Sequence, residues 1–294
     1  MTAMMWSKQQ RLVFIETRLY WEGQLNRRDI ELFFNISAPQ ASGDLKHYMK
    51  VAPENMVYDK SLKAFLLLDT FQPRFISTDP YEYFSMLLLQ QNERFSDQIF
   101  LGSPPPVATI GFPRRQVDGS VLRSLLRAMK QGFAIEIHYQ SMTDPDPHWR
   151  WITPHSLVSD GFRWHLRCFC HRRKTFRDFV LGRILATADT REDTTTAADD
   201  LLWQTYLEIE IAPHKTLSPT QRVAVEFDYE MQGGVRRFET RAALLFYLRR
   251  LLQIESQNKR PRIHWKNEAS ITSREAELQK QAQNDYATEE RQEV

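Results

Sequence analysis

The stretch 132–184 constrains this chain most. It begins GFAIEIHYQS and resumes at Arg150 as RWITPHSLVSDGFRWHLRCFCHRRKTFRDFVLGRI. Apolar and polar residues alternate over 133–139, 150–157 and 163–170, and a period near two places successive side chains on opposite faces of a strand. Between these runs, Asp144-Pro145-Asp146-Pro147 and Ser159-Asp160-Gly161 supply preset φ angles, local side-chain hydrogen bonds and a glycine tolerant of positive φ. About five short strands of this kind predict a small, curved barrel rather than an open sheet.

On the run 163–170, Trp164, Leu166, Cys168 and Cys170 share one face and His165, Arg167 and Phe169 the other. One face is core; the other requires a partner. Arg172, Arg173, Lys174, Arg177 and Arg183 follow, interleaved with Phe176 and Phe179, and His155 and Tyr139 fall on neighbouring strands. Arginine forks beside aromatic planes suit phosphates and stacked bases, and an unpaired buried Arg167 is costly. The expected binding site on the barrel, for a negatively charged ligand, is Tyr139, Ser141, His155, His165, Arg167, Phe176, Arg177 and Arg183, with Trp164 bracing its wall. A competing reading keeps the arginines solvated or paired with local acids, Asp178 beside Arg177 being one such partner.

The N-terminal part has a different period. Apolar residues at Leu12, Ile15 and Leu19 predict an amphipathic helix over 7–21, stopped by Glu22-Gly23. Asn26 caps a second helix over 27–34. Ser37 followed by Gln40 has capping-box spacing, and Pro39 is tolerated in a first turn, so a third helix starts near Ala38. Ala41, Leu45 and Tyr48 mark its packed side, and 56–68 reads as a hairpin that would form a wing. Three helices and a wing make a winged helix-turn-helix. The open side of the third helix offers Ser37 at its cap, then Pro39, Gln40, Ser42, Gly43, Lys46, His47 and Lys50, a small, polar and basic face suited to a major groove. A solvated helical surface is the alternative to DNA binding here.

Taken together, Pro154-His155-Ser156-Leu157, Gly161-Phe162-Arg163-Trp164-His165-Leu166-Arg167, Phe176-Arg177-Asp178-Phe179 and Arg183-Ile184 resemble the WYL domain of bacterial transcriptional regulators. The name-giving triplet is Trp164-His165-Leu166 here, with histidine where the family usually has tyrosine. The N-terminal segment resembles the winged helix of the same family, in particular of repressors found beside phage-defence operons of the BREX and CBASS kinds. The resemblance implies a homodimeric repressor that binds a double-stranded DNA operator with an inverted repeat. It also implies a barrel that senses a nucleotide or nucleic-acid effector, and a C-terminal extension that dimerises.

The expected fold class is multidomain α+β: a winged helix-turn-helix over 1–75, a helical connector over 76–118, a central Sm-like small β-barrel over 119–190 and a small α+β dimerisation unit over 200–256. Residues 189–200 read as a polar linker. Leu244, Leu245, Tyr247, Leu248 and Leu251 are expected to supply an interface or a local core, and 257–294 is a polar tail expected to be loosely packed. With 294 residues there is chain enough for these cores, and a net charge of +2 decides little, since nucleic-acid binders confine positive charge to one face. The two cysteines, two apart on a strand, are poorly placed to bridge each other, and no apolar run reaches membrane-spanning length. A cytoplasmic, non-membrane protein is expected. His165, Cys168, Cys170 and His171 are of zinc-ligand type, but the first two point to opposite faces of a strand; no metal or cofactor is expected. No nucleophile elbow or phosphate loop occurs, so the chain does not read as an enzyme. A module that binds RNA or single strands through the barrel is the alternative function.

Overall fold

The computed structural model describes residues 7–91, 99–110, 113, 115–256 and 261–292. The chain divides into two units, Met1–Gly111 and Phe112–Val294.

In the first unit, Ser7 and Gln10 close a capping box on α1 (Lys8–Glu22), and Gly23 ends it at φ 75°. A short strand, β1 (Gln24–Leu25), leads to Asn26, which caps α2 (Arg27–Phe34). Ser37 caps α3 (Ala38–Val51) by accepting from the Gln40 amide; of the expected reciprocal box only this half forms. β2 (Met56–Asp59) and β3 (Ala64–Leu67) make the wing, with β1 as third strand in the order β1-β3-β2. Phe14, Ile15, Leu19, Ile30, Ala41 and Tyr48 form its buried centre. Polar anchors then fix the third helix on the first. Arg11 grips Asp44 through Nε at 2.6 Å, and the Tyr48 hydroxyl donates to the fully buried Glu16 carboxylate at 2.8 Å. In the connector, α4 (Pro80–Gln90) packs Leu87 against Ile99 and Leu101 in a small separate core.

The second unit opens with α5 (Gly119–Gln131), started by the Asp118 carboxylate and ended by Gly132 at φ 69°. Its Val121, Leu125 and Ala128 close over the core of a five-stranded antiparallel sheet: β4 (Phe133–Tyr139), β5 (His148–Ser159), β6 (Trp164–Cys170), β7 (Thr175–Val180) and β8 (Ile184–Glu192). The order is β7-β6-β5-β4-β8, curled by register shifts in β4 and at Pro154/Ser156 of β5. Among the described residues β7 and β8 are joined by the turn at Leu181–Arg183 and not laddered to each other, so the barrel is an open one.

After Thr196 caps a short turn, α6 (Leu201–Gln204), β9 (Tyr206–Pro213), α7 (Pro219–Asp228), β10 (Arg236–Arg241) and α8 (Leu245–Ser256) build the extension. Of the tail expected to be loosely packed, residues 257–260 and 293–294 lie outside the described residues; over the described ones the expectation is corrected. β11 (Ile263–Trp265) pairs with β9, completing the sheet β10-β9-β11, and α9 (Glu268–Gln292) buries Ile271 and Leu278, seven residues apart and so on one face, in the extension's core. Arg249 pairs with Glu275 at 2.7 Å, tying α8 to α9. Leu245 and Leu248 belong to that same core, which resolves their reading toward local packing, whereas Phe246 and Leu251 stay exposed.

Candidate nucleic-acid interface and effector site

The outward side of α3 follows from what its inward side must do. Ala41, Asp44, Leu45 and Tyr48 are buried, so a helix of 3.6 residues per turn turns Pro39, Gln40, Gly43, Lys46 and Lys50 to solvent, with Ser42 and His47 half-buried on the flanks. Ser37 spends its hydroxyl on the cap. Between α2, α3 and the wing lies a cleft of about 660 Å³ whose lining includes Arg27, Arg28, Ser42, Lys46 and Lys63. Arg28, Lys46 and Lys63 are exposed there, and Arg27 is held by Glu31 at 2.6 Å. Asp59 makes the wing turn by accepting from the Ser61 and Leu62 amides, and Lys63 follows in the left-handed region at φ 53°. Arg27, Arg28 and Lys63 were not singled out from the sequence; only the folding of hairpin and helix onto each other gathers them.

On the barrel the expected effector residues separate into three groups. Tyr139 is core: its ring meets Phe179 edge-on at 4.8 Å and its hydroxyl accepts from the Val180 amide. Its place on the inner face with Ile135 and Ile137 follows from the period of two. His155, His165, Arg167 and Phe176 lie together on the outer face of β5, β6 and β7, but internally engaged. Arg167 is 5% exposed; its Nε and Nη2 donate to the two Asp200 oxygens at 2.7 and 3.0 Å and its Nη1 to Asp178 at 3.3 Å. His155 completes one side, Nε2 to Asp200 at 3.2 Å, its ring edge-on to Phe176 and Trp203. His165 completes the other, contacting Asp160 at 3.1 Å and the Tyr247 hydroxyl at 3.3 Å, while that hydroxyl donates to Asp178 at 2.8 Å. Ser141 in the β4–β5 loop bonds Thr143, and Trp164, Arg177 and Arg183 keep open or half-open side chains.

The partner that the outer face of β6 required is therefore the chain's own extension. Asp200, at the end of the stretch read as a polar linker, and Tyr247, read as interface or core, supply it; the partner of Asp178 is Arg167, not its neighbour Arg177. Burial alone would push the Asp200 carboxyl up, but hydrogen bonds from His155 and Arg167 outweigh it and hold the group below the usual carboxylate range. Asp160 is likewise held low, where bonds from His165 and the Phe162 and Arg163 amides overcome burial. Tyr247 goes the other way, pushed up by burial and by the Asp178 charge. Cys168 and Cys170 line the inner core, and burial pushes the Cys168 thiol well up. Among the described residues no group of three or more His, Cys, Asp or Glu gathers to hold a metal ion.

A winged helix, a WYL barrel and a two-layer extension in this order define a transcriptional regulator of the WYL class. Family models match in the same order: the BrxR transcriptional regulator winged helix-turn-helix domain over residues 7–89, the WYL domain over 120–188 and the BrxR C-terminal dimerization domain over 206–274. The chain belongs to the CapW family of DNA-binding transcriptional repressors. It is 42% identical over 246 residues to the DNA-binding transcriptional repressor CapW of Escherichia coli (strain KTE188), covering 83% of this chain and 82% of that one. CapW of Pseudomonas aeruginosa is 39% identical over 83% of this chain and 82% of the relative, and CapW of Stenotrophomonas maltophilia 37% identical over 85% of each. Among the described residues no helix is long and apolar enough to cross a membrane.

Proposed function

We propose that this protein is a cytoplasmic homodimer that represses transcription of a nearby phage-defence operon by binding an inverted-repeat operator, and that its barrel senses a nucleotide or nucleic-acid effector. The observation that carries the reading is the exposed polar and basic face of α3 beside the cationic cleft of the wing, in a chain whose relatives are named DNA-binding repressors. In this reading Gln40 and Ser42 meet base edges, Lys46, His47 and Lys50 meet phosphates, and Pro39 and Gly43 let the helix approach closely. Arg28 and Lys63 add phosphate contacts from either side of the cleft. The match of 206–274 to a dimerization domain supports pairing through the extension, and two α3 helices related by a two-fold axis then read two half-sites. An effector releases or strengthens operator binding only by its differential affinity for the two arrangements of the dimer.

Fluorescence anisotropy on labelled duplex from just upstream of the protein's own reading frame, with shuffled duplex as competitor at physiological salt, tests this. Tight binding that survives the competitor is the expected result. Gln40→Ala should relax discrimination at one base pair of each half-site, whereas Lys46→Ala, which removes one phosphate contact per protomer, should weaken all sequences alike and reduce the salt slope of the dimer by about 2. Weak binding indifferent to sequence would shift the assignment to a single-strand or RNA module.

A further inference from the structure

The outer face of β4, β5 and β8 carries a second group of rings, none of them among the expected effector residues. Antiparallel register sets His138 opposite Trp149 and Glu136 opposite Trp151, and on the other side of β4 it sets Ala134 opposite Arg191. Directly opposed residues share a face of the sheet. That face is the reverse of the one on which Ile135, Ile137 and Ile152 enter the core. The His138 imidazole stacks on the Trp149 indole with centroids 4.8 Å apart and planes 18° from parallel. The Arg191 guanidinium lies 4.4 Å from the centroid of Trp151. Each indole is braced by one partner, yet Trp149 remains 46% exposed. An indole carries a large hydrophobic surface, and folding alone gives no reason to hold one rigid and wet.

Exposed guanidinium groups lie around these rings. Arg191 is exposed, and so are Arg172 and Arg173 in the turn after β6, a turn joined to Trp151 by the hydrogen bond from the His171 amide to the Trp151 carbonyl at 3.2 Å. Of the nearby carboxylates, Asp193 is engaged by Thr153 and His171, whereas Glu136 on β4 and the exposed Asp189 and Glu192 on β8 stand beside these guanidinium groups.

We infer that this face is a stacking platform for single-stranded nucleic acid, Trp149 and Trp151 each receiving a base and Arg172, Arg173 and Arg191 the backbone phosphates. Positions two apart on a strand are separated by about 6.6 Å, roughly twice the ~3.4 Å rise of stacked bases. The two indoles therefore suit successive bases of a strand drawn out of helical stacking, not a duplex. Every base has a π-face, so such a platform tolerates many sequences. The inference rests on the reading that the barrel takes a nucleic-acid effector and deepens it. It places the effector on Trp149 and Trp151 and not on Arg167, whose three guanidinium nitrogens are engaged by Asp200 and Asp178.

The test uses the full chain, a short fluorescein-labelled oligothymidylate, and excess unlabelled operator duplex to occupy the winged helix. Anisotropy is expected to show binding that Trp149→Ala and Trp151→Ala each weaken roughly 5- to 150-fold, with Trp149→Phe restoring most of it and operator affinity unchanged. Ultraviolet cross-linking of the bound strand should place the adduct on the peptide holding the two tryptophans. Because Trp149 is exposed, its variants are expected to fold as wild type does; should Trp151→Ala melt, Arg191→Gln reads the same face by its loss of affinity. Oligothymidylate bound with adducts elsewhere, and unweakened by Trp149→Ala, overturns the platform while the effector reading stands. Absence of any oligothymidylate binding overturns the platform and leaves a nucleotide as the effector to test. A shift of Trp149→Ala toward monomer in sedimentation velocity would make the face a contact between copies, which also overturns the platform.

Discussion

Arg167 shows what one residue decides in this molecule. An arginine buried on a strand is tolerated because two carboxylates from other elements meet its three nitrogens, and removing one member of such a set leaves the rest uncompensated. Arg167→Ala should lower the unfolding free energy by about 3–5 kcal/mol, read from urea midpoints, where a solvated surface arginine would change little. The acid side of stability belongs to the same residues. Asp200, Asp160 and Asp193 all have folded-state pKa values below their unfolded ones, so they add stability above the unfolded carboxylate value near pH 4 and lose it as pH falls through the folded values. Urea midpoints taken between pH 6 and pH 3 should therefore fall toward acid, and Asp200→Asn should fall less across that window.

At the scale of elements, the tail is the sharpest departure from expectation. Leu278 is 2% exposed on α9, and Leu278→Ala should cost about 2–5 kcal/mol in thermal or urea unfolding; a loose tail would show no change. The difference has a physical origin. Helices α1, α2 and α3 announce themselves locally, through Ser7, Asn26 and Ser37 at their caps and apolar spacings of three and four, and their bounds in the structure lie within a few residues of those read from the chain. Among the described side chains of α9 only Ile271 and Leu278 are buried, amid many charged residues, and the surface they fill is made in part by β9, about sixty residues earlier. Short-range patterning cannot report a socket built elsewhere in the chain. Asp200 was illegible for the same reason: the second of two adjacent aspartates at the end of a threonine-rich stretch gains its meaning from Arg167, thirty-three residues before it. The alternation within β6 did reveal that one face lacked a partner, but not that the partner was part of the same chain.

For the whole molecule, the repressor reading requires two copies. If the extension joins them, Phe246 and Leu251, exposed on α8 within the dimerization match, are the residues to perturb. Phe246→Asp with Leu251→Asp should shift the protein toward monomer in sedimentation velocity and weaken operator binding at least tenfold without unfolding the winged helix. The joint formed by Arg167, Asp200, Asp178 and Tyr247 also limits how this architecture can be recombined. A chimaera that takes its barrel from one relative and its extension from another inherits half of an ion cluster from each parent. Unless the incoming extension brings an acid to the place of Asp200 and a phenol to that of Tyr247, the recipient strand is left holding a guanidinium with too few counter-charges. Barrel and extension should therefore be exchangeable between relatives only as a pair.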